Sequence, residues 1–301
     1  MMVQLKSIGS VLVFIAIHYC SYAQAPIYKG KVIDSSTKEA IPFSTVAYVD
    51  GSFGVYADIH GEFEINMGGQ QFLVVSCMGY RSDTVKISND KIDFRTIYLE
   101  PIRATLNEVV VKGKKFTKEI RIGFFKKKRI GGVGIKLAFT NSSNVDFGRE
   151  LVTILKYDST DNEGLIKSLH LRGRVEVADR KLALRVKLYR GVGDEYSETD
   201  LLLNENTFAV NEFSKAGIMT IDLEKFYVIL PKGGIRIVIE FIGLLDSEMN
   251  RGQGAVSLES AKDLTPTPRS FLRRSKSSDR QWISNGKGLY HNVCCWIQVL
   301  V

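Results

Sequence analysis

The chain has 301 residues, 45% of them hydrophobic and 25% charged, with a formal net charge of +8. That length suits two domains, each large enough to bury its own core. The basicity is local: from Lys112 to Lys136 ten basic residues face one acid, Glu119, so the remainder is near neutral and net charge argues for no class of partner.

The first 23 residues read as a signal peptide. Lys6 supplies the positive start, Ile8 to Ile17 the apolar centre, and Ser21-Tyr22-Ala23 the small-x-small cleavage pattern that leaves Gln24 as the new N-terminus. The apolar run is shorter than the roughly 20 residues a membrane span needs. Tyr19 before Cys20 departs from a lipobox, so simple export is the expectation. No later segment reads as a transmembrane helix. The three cysteines left, Cys77, Cys294 and Cys295, form no even disulfide framework and are expected as buried thiols.

Residues 24–100 carry short alternating runs separated by turn residues. Strands are predicted near Tyr28–Asp34, Phe43–Val49, Gly54–Asp58, Glu62–Asn66, Phe72–Met78, Arg81–Ile87 and Phe94–Leu99. His60-Gly61 marks a hairpin, and Asn89-Asp90 another turn. Seven strands in fewer than 80 residues predict a Greek-key sandwich.

The residues Gly30, Val32, Ile41, Pro42, Phe43, Val46, Gly54, Asp58, Gly61, Phe63, Ser76, Gly79 and Tyr80 form a pattern that resembles the carboxypeptidase regulatory-like domain. Ala57 and His60 depart from it within the hairpin. The resemblance implies a transthyretin-like sandwich, a fold abundant in secreted and outer-membrane proteins of Bacteroidota. It does not imply peptidase activity. Zinc hydrolysis needs three protein ligands and an open position, and His60, His170 and His291 lack ligand spacing. No cofactor or metal is expected.

Residues 101–134 read as a basic linker. Its Leu106-x-Glu108-Val109-Val110-Val111 segment resembles the start of the TonB-box region of outer-membrane receptors. A receptor would continue into a barrel of several hundred further residues, so the expectation here is a connector or a strand offered to another sheet edge. Lys126, Lys127, Lys128 and Arg129, interleaved with Phe116, Phe124 and Phe125, are candidates for anion binding, to anionic lipid headgroups, lipopolysaccharide phosphates or an acidic partner. Gly131-Gly132-Val133-Gly134 reads as a hinge or tight turn, without the ending of a phosphate loop.

From residue 135 to 301 the pattern is again β. Leu182, Leu184, Val186 and Leu188 alternate with Ala183, Arg185 and Lys187. Ile235, Ile237, Ile239 and Phe241 alternate with Arg236, Val238 and Glu240. Both runs predict strands with one dry and one wet face. Further strands are expected at Glu150–Leu155, Ile166–Gly173, Ile218–Asp222, Phe226–Leu230, Phe271–Ser275 and Val293–Val301, giving a jelly-roll-like sandwich. Trp282, Tyr290 and Tyr196, with Tyr189, are candidates for ligand stacking. Asp194, Glu195, Glu198 and Asp200 share a loop without a defined calcium spacing. His170 and His291 stand in no recognisable serine-hydrolase context.

The expectation is an all-β, non-catalytic exported protein, acting as a binding or structural module at the periplasm or outer membrane. Its partners would be an envelope protein, a glycan or an anionic lipid surface, with no nucleic acid. The alternatives are a carbohydrate-binding module and a hydrolase whose site is assembled from distant loops. The discriminator for the last is a pocket in which His170 or His291 lies within hydrogen-bond reach of a serine, cysteine or carboxylate.

Overall fold

Alternation in the first strand sets the first core. In β1 (Ile27–Asp34), Tyr28, Val32 and Asp34 turn inward while Ile27 and Lys29 face solvent. β1 lies between β4 (Glu62–Asn66), antiparallel, and β7 (Arg95–Leu99), parallel. The opposing sheet has the order β3 (Gly54–Tyr56), β2 (Thr45–Tyr48), β5 (Phe72–Ser76), β6 (Asp83–Lys86). Tyr28, Val32, Phe63, Ile65, Ile97 and Leu99 of the first sheet meet Val46, Val55, Leu73 and Val75 of the second. Each such side chain contributes about 1.5–3 kcal/mol when fully buried. The structure is a computed structural model, and it describes residues 27–87, 94–102, 116–126, 135–139, 148–157, 163–177, 180–192, 201–203, 207–211, 213–214, 216–248, 251–261, 269–274, 281–282 and 292–301.

A second sandwich follows. One sheet has the order β13 (Thr207–Asn211), β12 (Lys181–Arg190), β16 (Ile235–Leu245), β10 (Arg149–Leu155), β19 (Ser270–Arg274), β20 (Gln281–Trp282), with β17 (Arg251–Gly252) pairing β16. The other has the order β8 (Glu119–Gly123), β21 (Cys295–Leu300), β11 (Gly164–Val175), β18 (Gly254–Leu258), β9 (Ile135–Phe139), with β14 (Ile218–Asp222) and β15 (Ile229–Leu230) also pairing β11. Leu182, Leu184, Val186 and Leu188 of β12 and Ile235, Ile237, Ile239 and Phe241 of β16 pack across to Leu169, Leu171, Cys295, Ile297 and Val299. The chain is all-β, with a single 3-10 turn at Glu224–Phe226 among the described residues. No helix among those residues is long and apolar enough to cross a membrane.

Two features differ from the sequence reading. The stretch read as linker contains β8, which completes the edge of the second sandwich by pairing with β21. Its Ile120 and Ile122 pack on that core, an amphipathic signal that the surrounding lysines obscure. The face of β12 and β16 expected to be wet is buried. Arg185 is 5% exposed, Arg236 3% and Glu240 3%. Alternation tells which residues share a face, not whether another layer covers it. The first sandwich covers one part of this face. Tyr189, Val192 and Leu201 pack against another part, over Val152, Val238 and Phe271.

Candidate functional site

The motif residues of the first sandwich hold turns. The Asp58 carboxylate accepts the backbone N–H groups of His60 and Glu62, both at 2.8 Å. Gly61 follows at φ +75°, and a Cβ there would meet the Val32 carbonyl at 2.5 Å. Asp34 accepts the N–H groups of Ser36 and Thr37 on one oxygen, and the Tyr80 hydroxyl at 2.9 Å on the other. The backbone N–H of Thr37 leads in holding its carboxyl below the usual range. Burial, with the Asp34 hydrogen bond added, pushes the Tyr80 phenol up to about 12. These groups are committed to the fold.

Charged side chains converge where the two sandwiches meet. The register places Arg185 opposite Glu240 and Glu240 opposite Glu150, so the three lie in one cross-strand row. Arg185 donates through one terminal nitrogen to Glu240 Oε2 at 2.9 Å and through the other to the Phe43 carbonyl at 2.9 Å. Lys187 bridges Glu150 at 3.2 Å and Glu240 at 3.3 Å. The Tyr56 hydroxyl donates to Glu240 Oε1 at 2.8 Å and accepts the Gly148 N–H at 3.0 Å. Phe43 and Tyr56 pack with Ala183, Ile242 and Leu245 to close the junction. Phe43 sits at φ 56°, a left-handed conformation that is an outlier for a bulky residue. Burial alone would raise the Glu240 pKa. Arg185, Lys187 and the Tyr56 hydroxyl outweigh it and bring the carboxyl down to about 2. Burial, reinforced by the Glu240 charge, drives the Tyr56 phenol well above its ordinary range.

A second cluster lies on the outer face of the β11 sheet. Ser168, His170 and Arg172 alternate along β11, with Thr220 opposite His170 on β14 and Trp296 opposite it on β21. The imidazole stacks on the Trp296 indole with centroids 5.0 Å apart and planes 9° from parallel. Gln298 donates its amide N–H to Glu119, so its carbonyl oxygen faces His170 Nε2 at 3.2 Å. That arrangement puts the proton on Nε2 and leaves Nδ1 to accept the Thr220 hydroxyl at 3.0 Å. Ser168 Oγ lies 2.9 Å from Nε2. Burial lowers the His170 pKa, with the Gln298 hydrogen bond opposing it and the Arg121 charge reinforcing it.

The Ser168–His170 contact meets the distance criterion set for a hydrolase. A Ser-x-His spacing on a strand puts both on one face, and that is the signal from which the pair could have been read. The setting works against acyl transfer. β11 runs between β14 and β21, so its backbone N–H groups lie in the sheet plane rather than toward the face, where an oxyanion would form.

The residues singled out for stacking and anion binding are not brought together. Trp282 lies on β20 opposite Phe271. Tyr189 is buried at 7% exposure against Val152, Val238 and Phe271, because its strand face is covered, so it is unavailable for stacking. Lys126 is exposed, and its backbone carbonyl accepts from the Cys294 thiol at 3.9 Å. Tyr196, Tyr290, Lys127, Lys128 and Arg129 lie outside the described residues. So do the signal segment, residues 106–111, the glycine run 131–134, the acidic loop and His291. Cys77, Cys294 and Cys295 are buried free thiols. No group of three metal-ligating side chains occurs among the described residues.

Residues 28–111 match the family model of the CarboxypepD_reg-like domain, a match that ends before β8. No curated protein matches the chain. Among solved structures, the cysteine protease and lectin-like domains of Cwp84, a surface-layer-associated protein of Clostridium difficile, align at TM-score 0.35 and 11% identity. That alignment covers 83% of this chain and 46% of that one, so the chain spans less than half its length. A protein from Bacteroides uniformis described as carbohydrate-binding aligns at TM-score 0.17 and 12% identity, over 78% of this chain and 98% of that one. Both scores are too low to carry an argument about fold or function.

Proposed function

We propose that the chain is a non-catalytic binding protein of the cell envelope, exported by a Bacteroidota-type Gram-negative bacterium. In this reading the first sandwich positions the second. The observation that carries it is the junction: Tyr56 at the end of β3 and the Phe43 carbonyl in the turn before β2 engage Glu240 and Arg185, so this end of the first sandwich fixes its neighbour. Loops are where sandwich domains usually carry ligand sites, and committing this turn inward leaves the outer sheet faces as candidate contact surfaces. The regulatory-like family model over residues 28–111 agrees with an accessory role. The N-terminal apolar segment with its cleavage pattern supports export.

Photo-crosslinking in intact cells tests this. A crosslinkable residue at Arg121, on the outer face, is expected to trap an envelope component. Fractionation should recover the protein outside the cytosol. Recovery in the cytosol with no envelope crosslink would overturn the reading.

A further inference from the structure

We propose that the outer face around His170 is a recognition site for a neutral, polyhydroxylated ligand, a glycan. This rests on the binding reading above and adds a place and a chemical class to it.

The first argument is the order of polar groups. Thr220, His170, Ser168 and Gln298 form a continuous hydrogen-bonded row, with successive contacts of 3.0, 2.9 and 3.5 Å. Hydroxyl, imidazole, hydroxyl and carboxamide present donors and acceptors side by side. Each sugar hydroxyl is itself both a donor and an acceptor, so a surface mixing the two on adjacent strands suits vicinal hydroxyls. Thr220 is exposed, and Ser168, His170 and Gln298 are half-buried, so the row reaches solvent.

The second argument is preorganisation. Glu119 orients Gln298, Gln298 sets the tautomer of His170, and His170 holds the Thr220 hydroxyl. The Trp296 indole beneath, only 4% exposed, fixes the plane of the imidazole. Groups already ordered in the free protein lose little entropy when a ligand binds.

The third argument is charge. Glu119 is engaged by Gln298 and by Lys167 at 3.8 Å, so its charge is not free to attract a cation. The Arg172 guanidinium is turned toward the indole at 5.9 Å and toward the Ala216 carbonyl at 3.1 Å rather than out of the row. The row itself is made of hydroxyl, imidazole and carboxamide groups, with the Arg121 charge beside it opposite Gln298, so an anionic control decides between neutral hydroxyls and anions.

Isothermal titration of the whole chain against soluble β-glucan, mannan, xylan and arabinan, with heparin as the anionic control, tests the proposal. One neutral glycan is expected to bind saturably. Thr220→Val, an exposed and nearly isosteric change, and Gln298→Leu should each weaken binding by about tenfold or more. Thermal melts should confirm that both variants fold. Retention of affinity within about twofold in both variants would put the site elsewhere and leave the binding reading intact. Binding to heparin alone would overturn the neutral class. Failure to bind any of these probes, with envelope crosslinks preserved, removes the glycan assignment only. Loss of the crosslinks as well removes both readings.

Discussion

Tyr56 shows how one hydroxyl can join two domains. It donates to Glu240 and accepts from the backbone of Gly148, so it serves a carboxylate and an amide that both belong to the second sandwich. Phenylalanine would preserve the ring packing against Phe43 and Ile242 and remove only the hydroxyl. Tyr56→Phe is therefore expected to cost about 1–3 kcal/mol, because it leaves a buried donor and a buried charge each short of a partner. Urea denaturation should show a lower midpoint with an unchanged slope. A midpoint equal to that of the wild type would mean that water replaces the hydroxyl. The sequence marks Tyr56 as the end of an alternating strand, and nothing in its spacing indicates a partner 184 positions away.

At the scale of elements, the β2–β3 turn and the connection from β3 to β4, which lie in opposite sheets rather than forming a hairpin, depend on backbone shape. Gly61 at φ +75° and Gly51 at φ +70° both occupy the left-handed region, but they differ in surroundings. A Cβ at Gly51 meets nothing within 4 Å, whereas one at Gly61 meets the Val32 carbonyl at 2.5 Å. Gly51→Ala should cost about 1–2 kcal/mol from conformation alone. Gly61→Ala should cost clearly more, since β1 must also shift. Thermal melts of the two variants rank them, and an equal effect would deny the steric contribution. The seven strands of the first sandwich were legible because each strand is bounded by a turn residue with a physical reason for its place, such as Asp58 and Gly61. β8 was not legible, because Lys118, Glu119 and Arg121 mask the inward Ile120 and Ile122 in a short edge strand. The His170 row was not legible either. Its members come from three strands, with Glu119 of a fourth orienting Gln298, and only the register between β11, β14, β21 and β8 brings them together.

For the whole molecule, the junction makes stability depend on acidity. The Glu240 carboxyl is held at about 2 in the folded chain, below its ordinary 4.5. A depressed acid contributes stability above its unfolded value, and that contribution is lost as pH falls from about 4.5 toward about 2. Urea midpoints measured at pH 7, 4 and 3 should therefore fall progressively. Glu240→Gln should lower the midpoint at pH 7 and flatten its decline with acid. An undiminished decline in that variant would assign the acid sensitivity to other carboxylates. The alternation of Arg185, Lys187, Arg236 and Glu240 was visible in the sequence, yet it reads the same whether water or protein lies above it. Only the placement of the first sandwich over one part of the face, and of Val192 and Leu201 over another, distinguishes the two.

The same junction bears on how the protein is made. The first sandwich is N-terminal, so it is synthesised before the surface it will rest on exists, and its own side of the junction stays open until the second sandwich is complete. Because the surface carries guanidinium, ammonium and carboxylate groups around a small apolar patch, it is readily hydrated during the delay. An oily seam of the same area would invite association with other unfinished copies. An ionic seam lets each half remain dispersed until the other arrives.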